Sequence, residues 1–185
     1  MTTTPQVLVL GGTRSGKSRV AEEMANRLAA ERVVYVATAP SPDPEQDREM
    51  AERIARHQQD RPAGWITAEA PLDLAPAIAP YPHHLILVDC LSLWVANHLL
   101  LHPEAQPLSD LETQLCTALI HVIEHCRQRS QSLILVSNEV GMGIVPPYPL
   151  GRQYRDLLGR INQQAAQCCD EVYWVMAGIP MPLKR

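Results

Sequence analysis

Phenylalanine is absent from this chain of 185 residues, and three Trp and five Tyr are its only large aromatics, so a flat ring-binding wall has few residues to come from. No apolar run approaches the roughly 18 residues a membrane-crossing helix needs. The N-terminus lacks the basic-then-apolar pattern of a secretion signal, which predicts a cytoplasmic protein without membrane insertion. None of the five cysteines forms Cys-x-x-Cys, which removes the usual zinc-ribbon and thioredoxin patterns. Cys168 and Cys169 are adjacent, where a disulfide would be strained, and Cys90, Cys116 and Cys126 sit in apolar contexts; all five read as reduced thiols. A net charge of −4 argues against a nucleic-acid partner or a broad membrane-surface footprint. Internal repeats and low-complexity tracts are missing as well.

Proline, by contrast, is plentiful. Its 16 copies cluster at 40–44, 76–82 and 146–149. The fixed φ and missing N–H of proline predict three stiff loops there. Hydrophobic content of 46% and charge of 19% are ordinary for a globular protein. A chain of this length buries roughly 70% of its unfolded surface in one core. Residues 1–185 are therefore expected to form a single domain.

The most informative feature is the run Gly11, Gly12, Thr13, Arg14, Ser15, Gly16, Lys17, Ser18, directly after the apolar Val7-Leu8-Val9-Leu10. It satisfies G-x-x-x-x-G-K-[ST], whose four fixed positions arise by chance in roughly 1% of chains this long. The context adds weight, because a buried-type strand precedes it and a helical pattern follows from Arg19 to Ala30. The glycines let backbone N–H groups turn inward around a polyphosphate. Lys17 reaches the β and γ phosphates, Ser18 offers a hydroxyl to Mg²⁺, and the helix points its positive end at the anion.

Short apolar runs at 6–10, 32–37, 64–68, 85–89, 132–137 and 171–177 predict strands, several of them continuous rather than alternating. Helical patterns occupy 17–30, 45–60, 91–101, 109–130 and 150–169; the last has apolar residues at 154, 157, 158, 161 and 165. The alternation predicts an α/β fold of the P-loop NTPase (RecA-like) type. This would be an open, mostly parallel sheet with helices on both faces and ligands at the carboxyl ends of the strands.

Beyond the loop, Leu85-Ile-Leu-Val-Asp89 ends a strand in a carboxylate, the position that holds Mg²⁺ in phosphate-loop enzymes. His57 lies in a helical pattern stopped by Pro62, on one face with Arg53 and Arg61. Two guanidiniums disfavour protonation of the imidazole, leaving a lone pair able to attack phosphorus; the same residue also fits an exposed helix with no chemistry. His98 and His102 are four apart, and His121-Val-Ile-Glu-His125 satisfies the inverted zinc-protease pattern. That helix falls between two sheet strands with no third ligand assigned, so zinc catalysis is not favoured. Asn138 and Glu139 open a glycine-containing loop at the ligand-facing end of the fifth strand, where they could orient a hydroxyl or a base. Arg152 and Arg155 could clamp phosphates or stand in solvent. The Asn-Lys-x-Asp element of guanine-reading switches is absent, since Glu139 stands where its Lys would be.

Three segments together resemble the bifunctional adenosylcobinamide kinase/adenosylcobinamide-phosphate guanylyltransferase family of cobalamin biosynthesis. They are the Gly-Gly-x-Arg-Ser-Gly-Lys-Ser-Arg loop, the histidine-bearing stretch 47–69, and Asn-Glu-Val-Gly-x-Gly-Ile-Val-Pro. The ending, Arg-Asp-x-x-Gly-Arg-x-Asn-Gln followed by Ala-Gly-Ile-Pro, fits too. The resemblance implies transfer of a γ-phosphoryl group from ATP or GTP to adenosylcobinamide. It further implies transfer of GMP from GTP to adenosylcobinamide phosphate through a histidine–GMP intermediate, with His57 as the aligned histidine. Implied nucleotide contacts are Gly11 to Ser18, Thr38, Ala39, Pro40, Gln58, Gln59, Asp60, Arg61, Glu69 and Asp89, with Ser18 and Asp89 toward Mg²⁺. A homotrimer with sites at subunit boundaries is implied as well. Trp65, Trp94 and Trp174 are the candidate walls for the corrinoid. Two other readings of the loop are a small-molecule kinase without a covalent step and a regulatory NTPase that hydrolyses without transferring. The basic loop set or added partner domain expected of the regulator is missing.

Overall fold

The computed structural model describes residues 4–29, 32–40, 62–103 and 105–185. The helix expected over 45–60, and with it His57, Gln58, Gln59, Asp60 and Arg61, lies outside the described residues.

Among the described residues, seven strands form one sheet: β1 (Gln6–Gly11), β2 (Val33–Ala37), β3 (Ile66–Glu69), β4 (Leu85–Asp89), β5 (Leu133–Asn138), β6 (Glu171–Met176) and β7 (Ile179–Lys184). Their order is β3-β2-β4-β5-β1-β6-β7, and every neighbouring pair is parallel except β6 with β7. The helices are α1 (Lys17–Ala29), α2 (Leu74–Ile78), α3 (Leu91–Leu101), α4 (Leu108–Gln128) and α5 (Pro149–Cys168). The expected α/β architecture is thus observed.

The continuous apolar runs have a direct cause. Successive side chains of a strand point to opposite faces, and here both faces are covered. Leu8, Val34, Val36, Ile86, Val88, Leu133 and Leu135 face the core under α2 to α5, whereas Val7, Val9, Val33, Tyr35, Leu85, Leu87, Ile134 and Val136 face α1. On α4 the buried residues Leu111, Leu115, Leu119, Val122 and Cys126 recur every three or four positions and form one stripe. On α5 Leu157, Leu158, Ile161 and Ala165 do the same, as their spacing predicts. Truncating any one of these fully buried leucines to alanine would cost about 2–5 kcal/mol.

Proline is where the structure departs from the sequence reading. Pro76 lies inside α2 rather than in a loop, and Pro149 is the first residue of α5 rather than the end of one. Both occupy a first helical turn, whose N–H groups have no intrahelical acceptor, so a missing N–H costs nothing there. β7 contains Pro180 and Pro182 and was not expected at all. It is the outer strand, and two prolines spaced by two put their missing N–H groups on the same edge. The residues between them keep the pairing to β6.

Candidate active site

The phosphate-type loop runs from Gly11, the last residue of β1, to Lys17, the first of α1. Its turn is closed by Ser15 N–H donating to the Gly12 carbonyl at 3.2 Å, and Val20 N–H donates to Gly16 at 3.0 Å as the helix starts. Arg14 and Gly16 adopt left-handed conformations, φ 58° and 90°. Glycine is required at position 11, where a Cβ would lie 2.5 Å from Ser15 Oγ and 2.6 Å from the Val175 carbonyl oxygen. The β6–β7 turn supports the loop from below. Gly178 N–H donates to the Ser15 carbonyl at 2.7 Å, and a Cβ on Gly16 would meet Gly178 Cα at 3.1 Å.

Lys17 is buried, with its ammonium donating to the Gly12 carbonyl at 3.2 Å, so the cation is held over the loop. Ser18, on the first turn of α1, is half-buried. Asp89 ends β4 and is half-buried; one carboxylate oxygen accepts the Tyr35 hydroxyl at 2.8 Å. The next residue, Cys90, senses both charges. Burial first, then the Asp89 carboxylate, push its thiol above the usual range, and Lys17 pulls the other way. Cys90 is therefore a protonated thiol packed beside the site rather than a nucleophile.

Whether these groups suit a magnesium nucleotide is decided by donors and acceptors. Ser15 Oγ is buried inside the loop without a hydrogen-bond partner, and buried polar groups normally have one. The ammonium of Lys17, the Ser18 hydroxyl and the Asp89 carboxylate supply a hard, oxygen-rich and charged set at the same end of the sheet, as a magnesium triphosphate needs. The residues fit.

Two further polar networks brace this end. The Thr38 hydroxyl donates to the Cys90 carbonyl at 2.8 Å and accepts from Cys90 N–H at 2.7 Å, and Thr38 N–H donates to the Asp89 carbonyl at 3.2 Å. Thr38 is fully buried, so its hydroxyl is spent on fixing the end of β4; Ala39 is half-buried and Pro40 exposed. Asn97 donates to the carbonyls of Thr38 and Pro71 at 2.8 and 2.9 Å. Around β5, the Asn138 amide donates to Ser92 Oγ at 3.0 Å, Asn162 donates to the Asn138 carbonyl at 2.9 Å, and Ser137 Oγ donates to Asn162 Oδ1 at 2.6 Å. Asn138 pairs in register with Gly11, and its Oδ1 is buried with no partner. An acceptor is thus held ready beside the loop. Tyr154 donates to the Ser92 carbonyl at 3.2 Å, with its phenol pushed up to about 12 by burial and then by Cys90.

The structure therefore gathers Gly11 to Ser18, Asp89 and Asn138 at one end of three adjacent strands. Glu69 stands apart: it ends β3, four inter-strand steps from β1, or roughly 19 Å at ~4.8 Å each. It does not join the phosphate loop, Asp89 and Asn138. Arg152 donates to the Pro146 and Pro147 carbonyls, and Arg155 lies 3.5 Å from Asp156, so neither serves the phosphate loop. His98 and His102 each contact a backbone carbonyl, of Leu72 and Gln106. The five cysteines are free thiols. Trp94 is 1% exposed and donates to the Leu72 carbonyl, Trp65 is 9% exposed, and Trp174 is half-buried. Trp65 and Trp94 are thus core residues, not walls of a ligand pocket. Ser92 and Asn97 carried no signal, and Asn162 and Gly178 entered only as part of the ending that resembles the family, because their roles depend on partners 24 to 163 positions away.

Comparison with known proteins settles the family. Residues 7–183 match the family model described as cobinamide kinase / cobinamide phosphate guanyltransferase. The chain belongs to that family. The bifunctional adenosylcobalamin biosynthesis protein CobP of Pseudomonas aeruginosa is 46% identical over 182 residues, spanning 96% of each chain. The protein CobU of Salmonella typhimurium, with the same bifunctional description, is 39% identical over 185 residues, covering 96% of this chain and 99% of that one. CobU of Escherichia coli is 37% identical with the same coverage. Membership in the cobinamide kinase / guanyltransferase family accounts for the intact phosphate loop in a chain whose other conspicuous loop, 139–148, has no cationic side chain to hold phosphate.

Proposed function

We propose that this protein carries out both transfers named in the family description, on adenosylcobinamide and on adenosylcobinamide phosphate. In the first, the primary hydroxyl of the aminopropanol arm attacks the γ-phosphorus of ATP or GTP, and the nucleoside diphosphate leaves. In the second, an imidazole nitrogen of His57 forms a bond to the α-phosphorus of GTP as the α–β anhydride breaks and pyrophosphate departs. The phosphate of adenosylcobinamide phosphate then attacks the same phosphorus, the N–P bond breaks, and adenosylcobinamide-GDP is released with His57 restored. The observation that carries the reading is a complete phosphate cradle, with Lys17, Ser18 and Asp89 at one end of the sheet, in a chain matched to this family over residues 7–183.

Lys17 would hold the β and γ phosphates, and the Ser15 hydroxyl and the N–H groups of the loop would donate to the same oxygens. Ser18 and Asp89 would hold magnesium, which supplies charge neutralisation on the phosphates when bound. Splitting guanylyl transfer through a covalent imidazole makes each displacement in-line and separately accessible. The position of Glu69 on the edge strand, four inter-strand steps from β1, supports sites completed across subunits, as a homotrimer would provide. We place the enzyme in the cytoplasm; among the described residues no helix is long and apolar enough to cross a membrane.

The test is incubation with α-labelled GTP. Wild-type protein should acquire label that survives alkaline denaturation and leaves in acid, the signature of a phosphoramidate. His57→Ala should acquire none, while its kinase turnover with ATP persists. Equal labelling of the two proteins would remove the covalent step.

A further inference from the structure

Two surfaces of opposite chemistry meet at the carboxyl end of β1. One is the charged phosphate cradle. The other is the loop from β5 to α5, which begins with Glu139 N–H donating to the Gly11 carbonyl at 3.2 Å. From Val140 to Gly151 the chain has twelve consecutive residues without a charged side chain. Its large apolar groups point outward: Met142 is 82% exposed, Ile144 97%, Val145 57% and Tyr148 60%.

This exposure does not come from a loose loop. The Glu139 carboxylate accepts the Gly141 N–H. The Arg152 guanidinium donates to the carbonyls of Pro146 at 3.1 Å and Pro147 at 2.8 Å. Gly151 leaves no room to shift, since a Cβ there would lie 2.5 Å from the Tyr148 ring and 2.8 Å from Pro146. Exposed apolar side chains on a loop braced at both ends are a partly preorganised contact surface, because part of the entropy of ordering its backbone is already spent.

We propose that the lip formed by Met142, Ile144, Val145 and Tyr148 is the platform on which the body of the corrinoid acceptor rests while its hydroxyl or phosphate arm reaches into the cradle. This rests on the function proposed above. An uncharged apolar lip has nothing to offer a triphosphate, but it suits the methyl groups of a bulky macrocycle whose amide arms stay in water. The Glu139 N–H to Gly11 carbonyl bond makes the loop that carries the lip continuous with the cradle, at the same end of the sheet. Trp65 and Trp94 cannot serve instead, since both are buried in the core, and Trp174 is half-buried and packed against it. Specificity for the large acceptor therefore falls to aliphatic side chains and one tyrosine.

The test uses full-length protein and dicyanocobinamide as the probe, read by its visible absorbance in equilibrium dialysis. Each of Met142→Ser and Ile144→Ser should weaken binding about 10-fold or more, as loss of a buried apolar side chain does. The GMP labelling by GTP and the sedimentation mass should stay as in wild type. Unchanged affinity for the probe in the double variant M142S/I144S overturns the proposal. So does a fall in sedimentation mass, which would show that the lip covers a second copy of this chain. A wild type that takes no label from GTP yet binds the probe through the lip would sink the transfer reading alone and leave the platform standing.

Discussion

Asn138 shows how a side chain at a strand end is prepared for work. Its amide nitrogen is held by Ser92, its carbonyl by Asn162, and Asn162 in turn by Ser137. What remains is Oδ1, buried and unpartnered beside Gly11. Leaving a buried acceptor empty costs about 1–3 kcal/mol, so a ligand hydrogen there is favoured. Asn138→Ala should lower the rate constant of phosphoryl transfer roughly 10-fold, the worth of one hydrogen bond, with nucleotide affinity nearly unchanged. Stopped-flow nucleotide binding together with steady-state turnover would separate the two effects, and equal losses in both would assign Asn138 a purely structural part. The sequence marked Asn138 as a candidate because it follows a strand, but its two direct anchors, Asn162 and Ser92, lie 24 and 46 residues away and were not legible.

The β6–β7 hairpin is the element whose function the sequence concealed. Its turn is Ala177 and Gly178, both left-handed at φ 51° and 80°, the geometry that a tight two-residue hairpin demands. That turn presses Gly178 N–H on the Ser15 carbonyl and sits against Gly16, so an edge hairpin sets the shape of the phosphate loop. Gly178→Ala should cost about 1–2 kcal/mol for the forced left-handed alanine. That corresponds to a fall in Tm of roughly 2–8 °C for a protein this large. The KM for nucleotide should rise with it. Calorimetry and nucleotide kinetics on the same preparation check this, and an unchanged KM would detach the hairpin from the cradle. Prolines at 180 and 182 are unfavourable in the interior of a sheet. Only the position of β7 at the sheet's edge makes them acceptable.

Folding buries several ionisable groups in neutral form, and this gives the whole molecule a pH signature. Burial pushes the thiols of Cys126 and Cys169 and the phenol of Tyr154 up to about 12, from 9.0 for the thiols and 10.0 for the phenol. Between those limits the unfolded chain releases protons that the folded chain keeps, so it binds fewer of them and stability falls as pH rises. The contribution is fully present below about pH 9 and is lost progressively toward about pH 12. Urea midpoints measured from about pH 8 to about pH 11 should decline steadily, and Cys126→Ala should show a shallower slope whatever its starting midpoint. A flat midpoint over that range would mean these groups are hydrated in the folded protein. Tyr154 ties this behaviour to the site, because its protonated hydroxyl holds the Ser92 carbonyl.

What the chain determines by itself is local and periodic. The run from Gly11 to Ser18 follows a strand and opens a helix because glycine spacing and the change of apolar period are properties of neighbouring residues. Asp89 at the end of Leu85-Ile-Leu-Val is legible for the same reason, and so are the stripes of α4 and α5. Tertiary structure decided the rest. It turned Thr38 inward as a clamp on Cys90, sent Trp94 into the core, set Glu69 at the edge strand away from the cradle, and admitted prolines into β7 and the first turn of α2. Each outcome depends on which strands lie side by side and which N–H groups already lack a partner. Strand order arises from packing two helical layers on one sheet, a condition on the whole chain that no short window of residues contains.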